Sequence, residues 1–121
     1  MPPANSADPA DALQPLLEDT LLQCASVERL LADIRLAKGD GTADDEHDPD
    51  GPTLSAEWSQ LVGMQAHLLR DLHGINHALE RVASGTFGRC LNCGMPISPG
   101  RLEARPATAH CIGCARALEN R

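Results

Sequence analysis

Nine positions between residues 54 and 82 constrain this chain more than any other feature. Leu54, Trp58, Leu61, Gln65, Leu68, Leu72, Ile75, Leu79 and Val82 advance by alternating steps of four and three. That rhythm is an a/d heptad seam with one polar member, and it specifies a long helix burying a single narrow stripe. Gly63 and Gly74 fall inside it and weaken the helix somewhat, while Gly85, in "ASGTFG", supplies a stop. A second amphipathic segment precedes this one. From about Asp11 to Lys38, Leu13, Leu17, Cys24, Val27, Leu31 and Ile34 make one stripe, widened by Leu16, Leu21 and Leu30. Thr20 is a polar gap in it. Pro15 is tolerated in a first turn, which places the start of this helix near Asp11 or slightly later.

Between the two segments lies "GDGTADDEHDPDGPT", residues 39–53, with two prolines and six acids. Such a stretch argues against helix through its middle. Thr53 or Ser55 is suited to cap the second helix, with Glu57 in its first turn. Two amphipathic helices of similar length joined by a modest loop fold back most simply as an antiparallel coiled coil. A helix of roughly 28–30 residues rises about 45 Å, so the loop is expected at the far tip of a rod. On composition alone the loop reads as a solvated connection. Its place at a tip is what raises a functional reading.

The 121 residues hold one Trp, one Phe and no Tyr. A core must therefore come from Leu, Ile, Val and Ala, which suits an elongated helical shape better than a compact globule. The net charge of −7 is uneven. Residues 1–53 carry twelve acids and three bases, whereas 86–121 carry two acids and five bases. Phosphate backbones are repelled by the first part and weakly attracted by the last, which argues against duplex DNA as the primary ligand. No apolar run approaches the length of a membrane span, and the N-terminus has neither the basic nor the apolar region of a secretory signal. A cytoplasmic protein is the expectation.

Four of the five cysteines form two CxxC pairs, Cys90/Cys93 and Cys111/Cys114, separated by seventeen residues. One tight turn delivers two thiolates to one ion, and two such turns complete the tetrahedron that zinc prefers. The expectation is one structural Zn2+ on Cys90, Cys93, Cys111 and Cys114. A closed four-thiolate shell leaves no open position for water or substrate, and no nucleophile–base pair is evident, so an enzyme is not expected. Gly88 and Gly94 flank the first pair and suit knuckle turns. The second pair precedes Ala115–Glu119, which can start a short helix. His110 abuts Cys111 but is not needed as a ligand. Cys24 reads as a small buried hydrophobe, and His67, His73 and His77 as exposed polar positions beside the seam.

Residues 78–119 carry a longer ordered string. It comprises Gly85-Thr86-Phe87-Gly88, Cys90-Leu91-Asn92-Cys93-Gly94, Pro96-Ile97, Arg101-Leu102-Glu103-Ala104-Arg105-Pro106 and Cys111-Ile112-Gly113-Cys114. This string, about a third of the chain, closely resembles the C4 zinc-finger region of the DksA/TraR family of bacterial transcription regulators. The family also has a coiled-coil hairpin upstream of its finger. The resemblance implies direct binding to RNA polymerase, with the hairpin inserted into the secondary channel and acidic tip residues near the catalytic centre. The family tip pattern is Asp-x-x-Asp-x-Ala. Here Asp45 and Asp48 match it, and Asp50 stands where alanine is expected. Dependence on the nucleotide ppGpp, a feature of the best-known members, is not carried over.

The resulting expectation is a mostly α fold. A disordered lead (1–10) precedes an antiparallel coiled-coil hairpin (11–84) with its acidic loop at 39–53. A C4 zinc-finger base with a short C-terminal helix (85–121) follows. The protein is expected to act as a monomer on RNA polymerase, through Asp45, Asp48 and Asp50 at the tip and Arg89, Arg101 and Arg105 on the base, without sequence-specific DNA binding or a membrane. The competing reading is a zinc-stabilised helical adaptor for some other protein. Internal pairing, for instance of Arg101 or Arg105 with Glu103, competes with a contact role for the arginines.

Overall fold

The computed structural model describes residues 8–39 and 51–120. The acidic segment 40–50, with Asp45, Asp48 and Asp50, lies outside the described residues, as do residues 1–7 and 121. Four helices are described: α1 (Pro9–Gly39), α2 (Gly51–Ser84), α3 (Pro99–Ala104) and α4 (Ile112–Glu119). The fold is mostly α, a coiled-coil hairpin of α1 and α2 followed by the cysteine-rich finger. No helix among the described residues is long and apolar enough to cross a membrane.

α1 begins two residues before Asp11. The Asp8 carboxylate accepts a hydrogen bond from the Ala10 amide (3.0 Å), and Pro9 takes the first helical position, where its missing N–H matters least. Pro15 consequently sits inside α1 rather than in its first turn. The helix runs on through it although the Asp11 carbonyl loses its i+4 donor, because an apolar seam on either side holds the chain helical. Pro15→Ala restores that donor and should stabilise the hairpin by about 1–3 kcal/mol, read by urea unfolding of the zinc-loaded protein.

α2 also starts earlier than expected, at Gly51, so Thr53 and Ser55 are helical rather than capping and Glu57 lies beyond the first turn. Pro52 falls among the first helical residues, whose N–H groups have no intrahelical acceptor anyway. The other end of α2 closes on Gly85, as the sequence indicated. The Gly85 amide donates to the Val82 carbonyl and the Thr86 amide to the Arg81 carbonyl, with Gly85 at φ 80°. This is a Schellman stop, which requires the left-handed conformation at the residue after the helix.

The chain divides into two compact units, Asp19–Asp71 and Met1–Glu18 with Leu72–Arg121. In the first, Cys24, Val27, Leu31 and Leu68 form a buried cluster against which Trp58 and Leu61 pack. Arg35 and Lys38, late in α1, lie over the ring of Trp58, early in α2, at 5.6 and 6.0 Å from its centroid. That pairing of a late residue with an early one is the antiparallel sense of the hairpin. In the second unit Leu13, Ile75, Ala78, Cys90 and Ile97 are buried.

The heptad positions of α2 are all buried or half-buried, Gln65 included. On α1 the buried set is Leu13, Thr20, Cys24, Val27, Leu31 and Ile34, with Leu17 half-buried. The widening residues behave differently: Leu16 is half-buried, and Leu21 and Leu30 are 47 % and 50 % exposed. A helix with a single partner buries a strict a/d seam, and only a helix packed on several neighbours buries the broader stripe.

Candidate metal centre

Residues 85–120 fold around four sulfurs. After Gly85 the chain makes a knuckle. The Cys90 amide donates to the Met95 carbonyl (2.9 Å), the Gly94 amide to the Cys90 carbonyl (2.9 Å) and the Ile97 amide to the Gly88 carbonyl (2.7 Å). Arg89 and Pro96 form an isolated antiparallel bridge across it. Gly94 adopts φ 77°, a conformation costly for any side chain, which is why a glycine follows the second cysteine of the pair. Ile97 is buried.

The second pair comes from a helix end. Cys111 is the N-cap of α4, its sulfur accepting from the Cys114 amide at 3.5 Å. α4 therefore starts at Ile112, three residues earlier than expected, and presents both cysteines in its first turn. Amides at a helix N-terminus favour thiolate over thiol.

All four sulfurs lie within 4.8 Å of one another, and those of Cys93 and Cys111 are 3.9 Å apart. A tetrahedron with Zn–S bonds of about 2.3 Å has edges of about 3.8 Å, so the arrangement has the right size. The proton chemistry fits as well. Burial pushes the Cys90 thiol up, but the amides of Cys93, Cys111 and Asn92 and the neighbouring Cys114 side chain more than offset this and bring it to about 6. Cys114 moves oppositely. The Asn92 amide, 3.3 Å from its sulfur, lowers it, yet Cys111, Cys90, burial and Cys93 outweigh that and raise it to about 11. Four sulfurs this close hold four negative charges only around a cation. The cysteines are positioned to bind one zinc ion, and His110 is not among the convergent ligands.

Comparison with known proteins agrees with this geometry. Residues 85–120 match the family described as "Prokaryotic dksA/traR C4-type zinc finger". The finger belongs to the DksA/TraR family. Over 48 residues the chain is 44 % identical to an uncharacterized protein of Aquifex aeolicus, covering 40 % of this chain and 33 % of that one. Over 47 residues it is 43 % identical to the RNA polymerase-binding transcription factor DksA of Escherichia coli K12, covering 39 % and 31 %. The matched stretch thus spans about a third of the length of these curated relatives. A solved structure of transcription factor DksA2 from Pseudomonas aeruginosa shares the fold across 100 % of this chain and 92 % of its own. Its TM-score is 0.55 at 24 % identity.

Two arginines build the DksA/TraR finger from within. Arg101 donates from Nε to the His110 carbonyl (2.8 Å) and from Nη2 to Thr108 Oγ1 (3.2 Å). Arg81, at the end of α2, reaches the carbonyls of Thr108 (3.3 Å) and Ala107 (3.5 Å), and its burial pulls its pKa below the usual arginine value. Together they hold the loop that delivers Cys111. Arg101 thus turns inward, to backbone and Thr108 rather than to Glu103. Arg89 and Arg105 are exposed, with Arg89 donating to the Gly94 carbonyl at 3.3 Å.

Arg81 and Asn92 were not singled out from the sequence. Asn92 had a local signal in its place between two ligands, whereas Arg81 acts 26 and 27 residues along the chain and has none. α3 was missed too, although Ser98-Pro99 is a cap followed by a first-turn proline, and Ser98 Oγ does accept from the Arg101 amide at 3.3 Å. Cys24 is buried in the hairpin cluster. His67, His73 and His77 are exposed, His67 lying 3.5 Å from Asp71 and His77 3.5 Å from Glu80.

Proposed function

We propose that this protein is a bacterial transcription regulator that binds RNA polymerase directly and acts in the cytoplasm as a monomer. The observation that carries this reading is the joint occurrence of a DksA/TraR finger and an upstream antiparallel hairpin in one chain. One matched relative, that of Escherichia coli K12, is an RNA polymerase-binding transcription factor by name. In this reading zinc is a clip. Bound by Cys90, Cys93, Cys111 and Cys114, it fixes the knuckle to the N-terminus of α4 and takes part in no reaction. The hairpin enters the polymerase secondary channel, and its acidic segment approaches the catalytic centre, where metal ions and basic side chains concentrate. Asp45 and Asp48 modulate initiation there, and Asp50 adds a carboxylate where the family pattern has alanine. Arg89 and Arg105, exposed on the finger, contact an acidic polymerase surface. Arg101 supports them by ordering the loop.

The acidic segment is tested by the double variant Asp45→Ala/Asp48→Ala. It should retain polymerase affinity within about threefold, since screened surface charges contribute little to affinity, and should change the lifetime of open promoter complexes. Unaltered lifetimes with intact binding would remove these aspartates from the mechanism. If the wild-type chain fails to bind polymerase even at low salt, the helical-adaptor reading replaces this one.

A further inference from the structure

The hairpin unit Asp19–Asp71 treats its two flanks differently. On one flank the Trp58 ring lies under the side chains of Arg35 and Lys38. The cleft left there is about 240 Å³ and includes Glu28, Arg35 and Gln65 among its lining residues. Long cationic stems of this kind cover apolar surface while their heads stay in water. On the other flank no cation lies over an aromatic ring among the described residues, and Arg29 lines only a neighbouring recess with Leu30 and Asp33. A groove of about 400 Å³ runs between α1 and α2, floored by Leu30, Ile34, Leu61 and Met64 and edged by Asp33 and Glu57. At about 100° per residue, Leu30 and Asp33 fall on the opposite side of Leu31 from Glu28 and Arg35.

Leu30 is 50 % and Met64 48 % exposed, although both line this groove. Exposed Leu and Met gathered at one place, rather than scattered, mark an interaction surface. Methionine in particular adapts to a partner's side chains. The edge chemistry defines the partner. Asp33 and Glu57, one from each helix, are exposed, and no described residue forms an ion pair with either. A channel between two antiparallel helices accepts a third helix by ridge-into-groove packing. Carboxylates on both banks select basic residues beside that helix's apolar anchors.

We infer that this groove docks an amphipathic helix of a protein partner, with apolar anchors on Leu30, Ile34, Leu61 and Met64 and Lys or Arg residues facing Asp33 and Glu57. Its lining residues belong to α1 and α2, and none of them is a cysteine of the metal centre. It needs no assumption about which protein supplies the helix.

Two side-chain-stapled helical peptides provide the probe. Both carry leucine at i, i+3 and i+7, one flanked by lysines and the other by glutamates. Each is titrated into the zinc-loaded full chain and followed by peptide anisotropy and by the emission of Trp58, the chain's single tryptophan. The lysine peptide should bind about tenfold more tightly than the glutamate peptide at low salt, the gap closing as salt is added. Leu30→Gln/Met64→Gln should weaken it about tenfold. Asp33→Lys/Glu57→Lys should reverse the preference toward the glutamate peptide, a result that misfolding cannot produce. All four positions are exposed, and helicity and zinc content confirm folding of each variant. Equal binding of the two peptides, no binding of either, or binding indifferent to these substitutions would overturn the inference. So would a sedimentation measurement showing a dimer that Leu30→Gln/Met64→Gln dissociates, since the groove would then be covered by a second copy.

Discussion

Cys90→Ser should abolish stoichiometric zinc binding and unfold residues 85–120, while α1 and α2 keep most of the helical signal. The reason lies in what else holds the finger. Its buried apolar side chains are essentially Cys90 and Ile97, and α3 and α4 have only six and eight residues with no buried residue in either. Helices that short do not persist in water on their own. The remaining ties are hydrogen bonds: those of the knuckle backbone, the Leu91 amide to the Ala109 carbonyl, and those from Arg81 and Arg101 to the loop, each contributing about 0.5–3 kcal/mol. Structural zinc in small fingers contributes about 10–16 kcal/mol, so its loss outweighs everything else that orders this segment. Because α1 and α2 carry 31 and 34 residues, circular dichroism falls only slightly. The loss is read better by limited trypsin cleavage after Arg89 and Arg101 and by elemental analysis. Chelation of the wild-type protein should reproduce it, and acidification should too, since protons compete with zinc for four thiolates. A finger that stays protease-resistant without metal would contradict this account.

Ile75→Ala should cost about 2–5 kcal/mol, the range for emptying a filled core site. Ile75 is 2 % exposed and, with Leu13, is one of the two largest fully buried side chains. A two-helix seam has few such positions. Leu21→Ala provides the contrast. It lies on the same α1 stripe as read from sequence but is 47 % exposed, so its removal should change stability by no more than about 0.5 kcal/mol. Urea unfolding of the zinc-loaded variants, followed by helical signal, separates the two. Equal effects would mean that the seam is broader than the structure shows.

Those two residues also mark what was legible in the sequence. The α2 seam was readable position by position, because a strict four–three rhythm admits one helical face and therefore one buried stripe. The α1 stripe was readable in its strict members and over-read in Leu21 and Leu30, since hydropathy alone does not say whether a helix has one neighbour or several. The four zinc ligands were legible for a local reason: each CxxC is a turn that brings its own two sulfurs together. Pro15 misled the placement of the α1 start, because a tertiary seam overrides a single helix breaker. The finger's internal scaffold was not readable. Arg81 acts on a loop 26 and 27 residues away, and Arg101 chooses the His110 carbonyl over Glu103. Such choices arise only once the loop is folded around the cysteines.

The regulatory role proposed for this protein depends on binding to RNA polymerase at the secondary channel. Its most direct test is equilibrium binding of the zinc-loaded, fluorescently labelled protein to purified bacterial RNA polymerase at low salt, in competition with an unrelated secondary-channel factor. The expected result is saturable one-to-one binding that the competitor displaces and that Cys90→Ser weakens by at least about tenfold. Saturable binding that the competitor leaves untouched would contradict the secondary-channel placement. Absence of binding would rule out RNA polymerase as the partner.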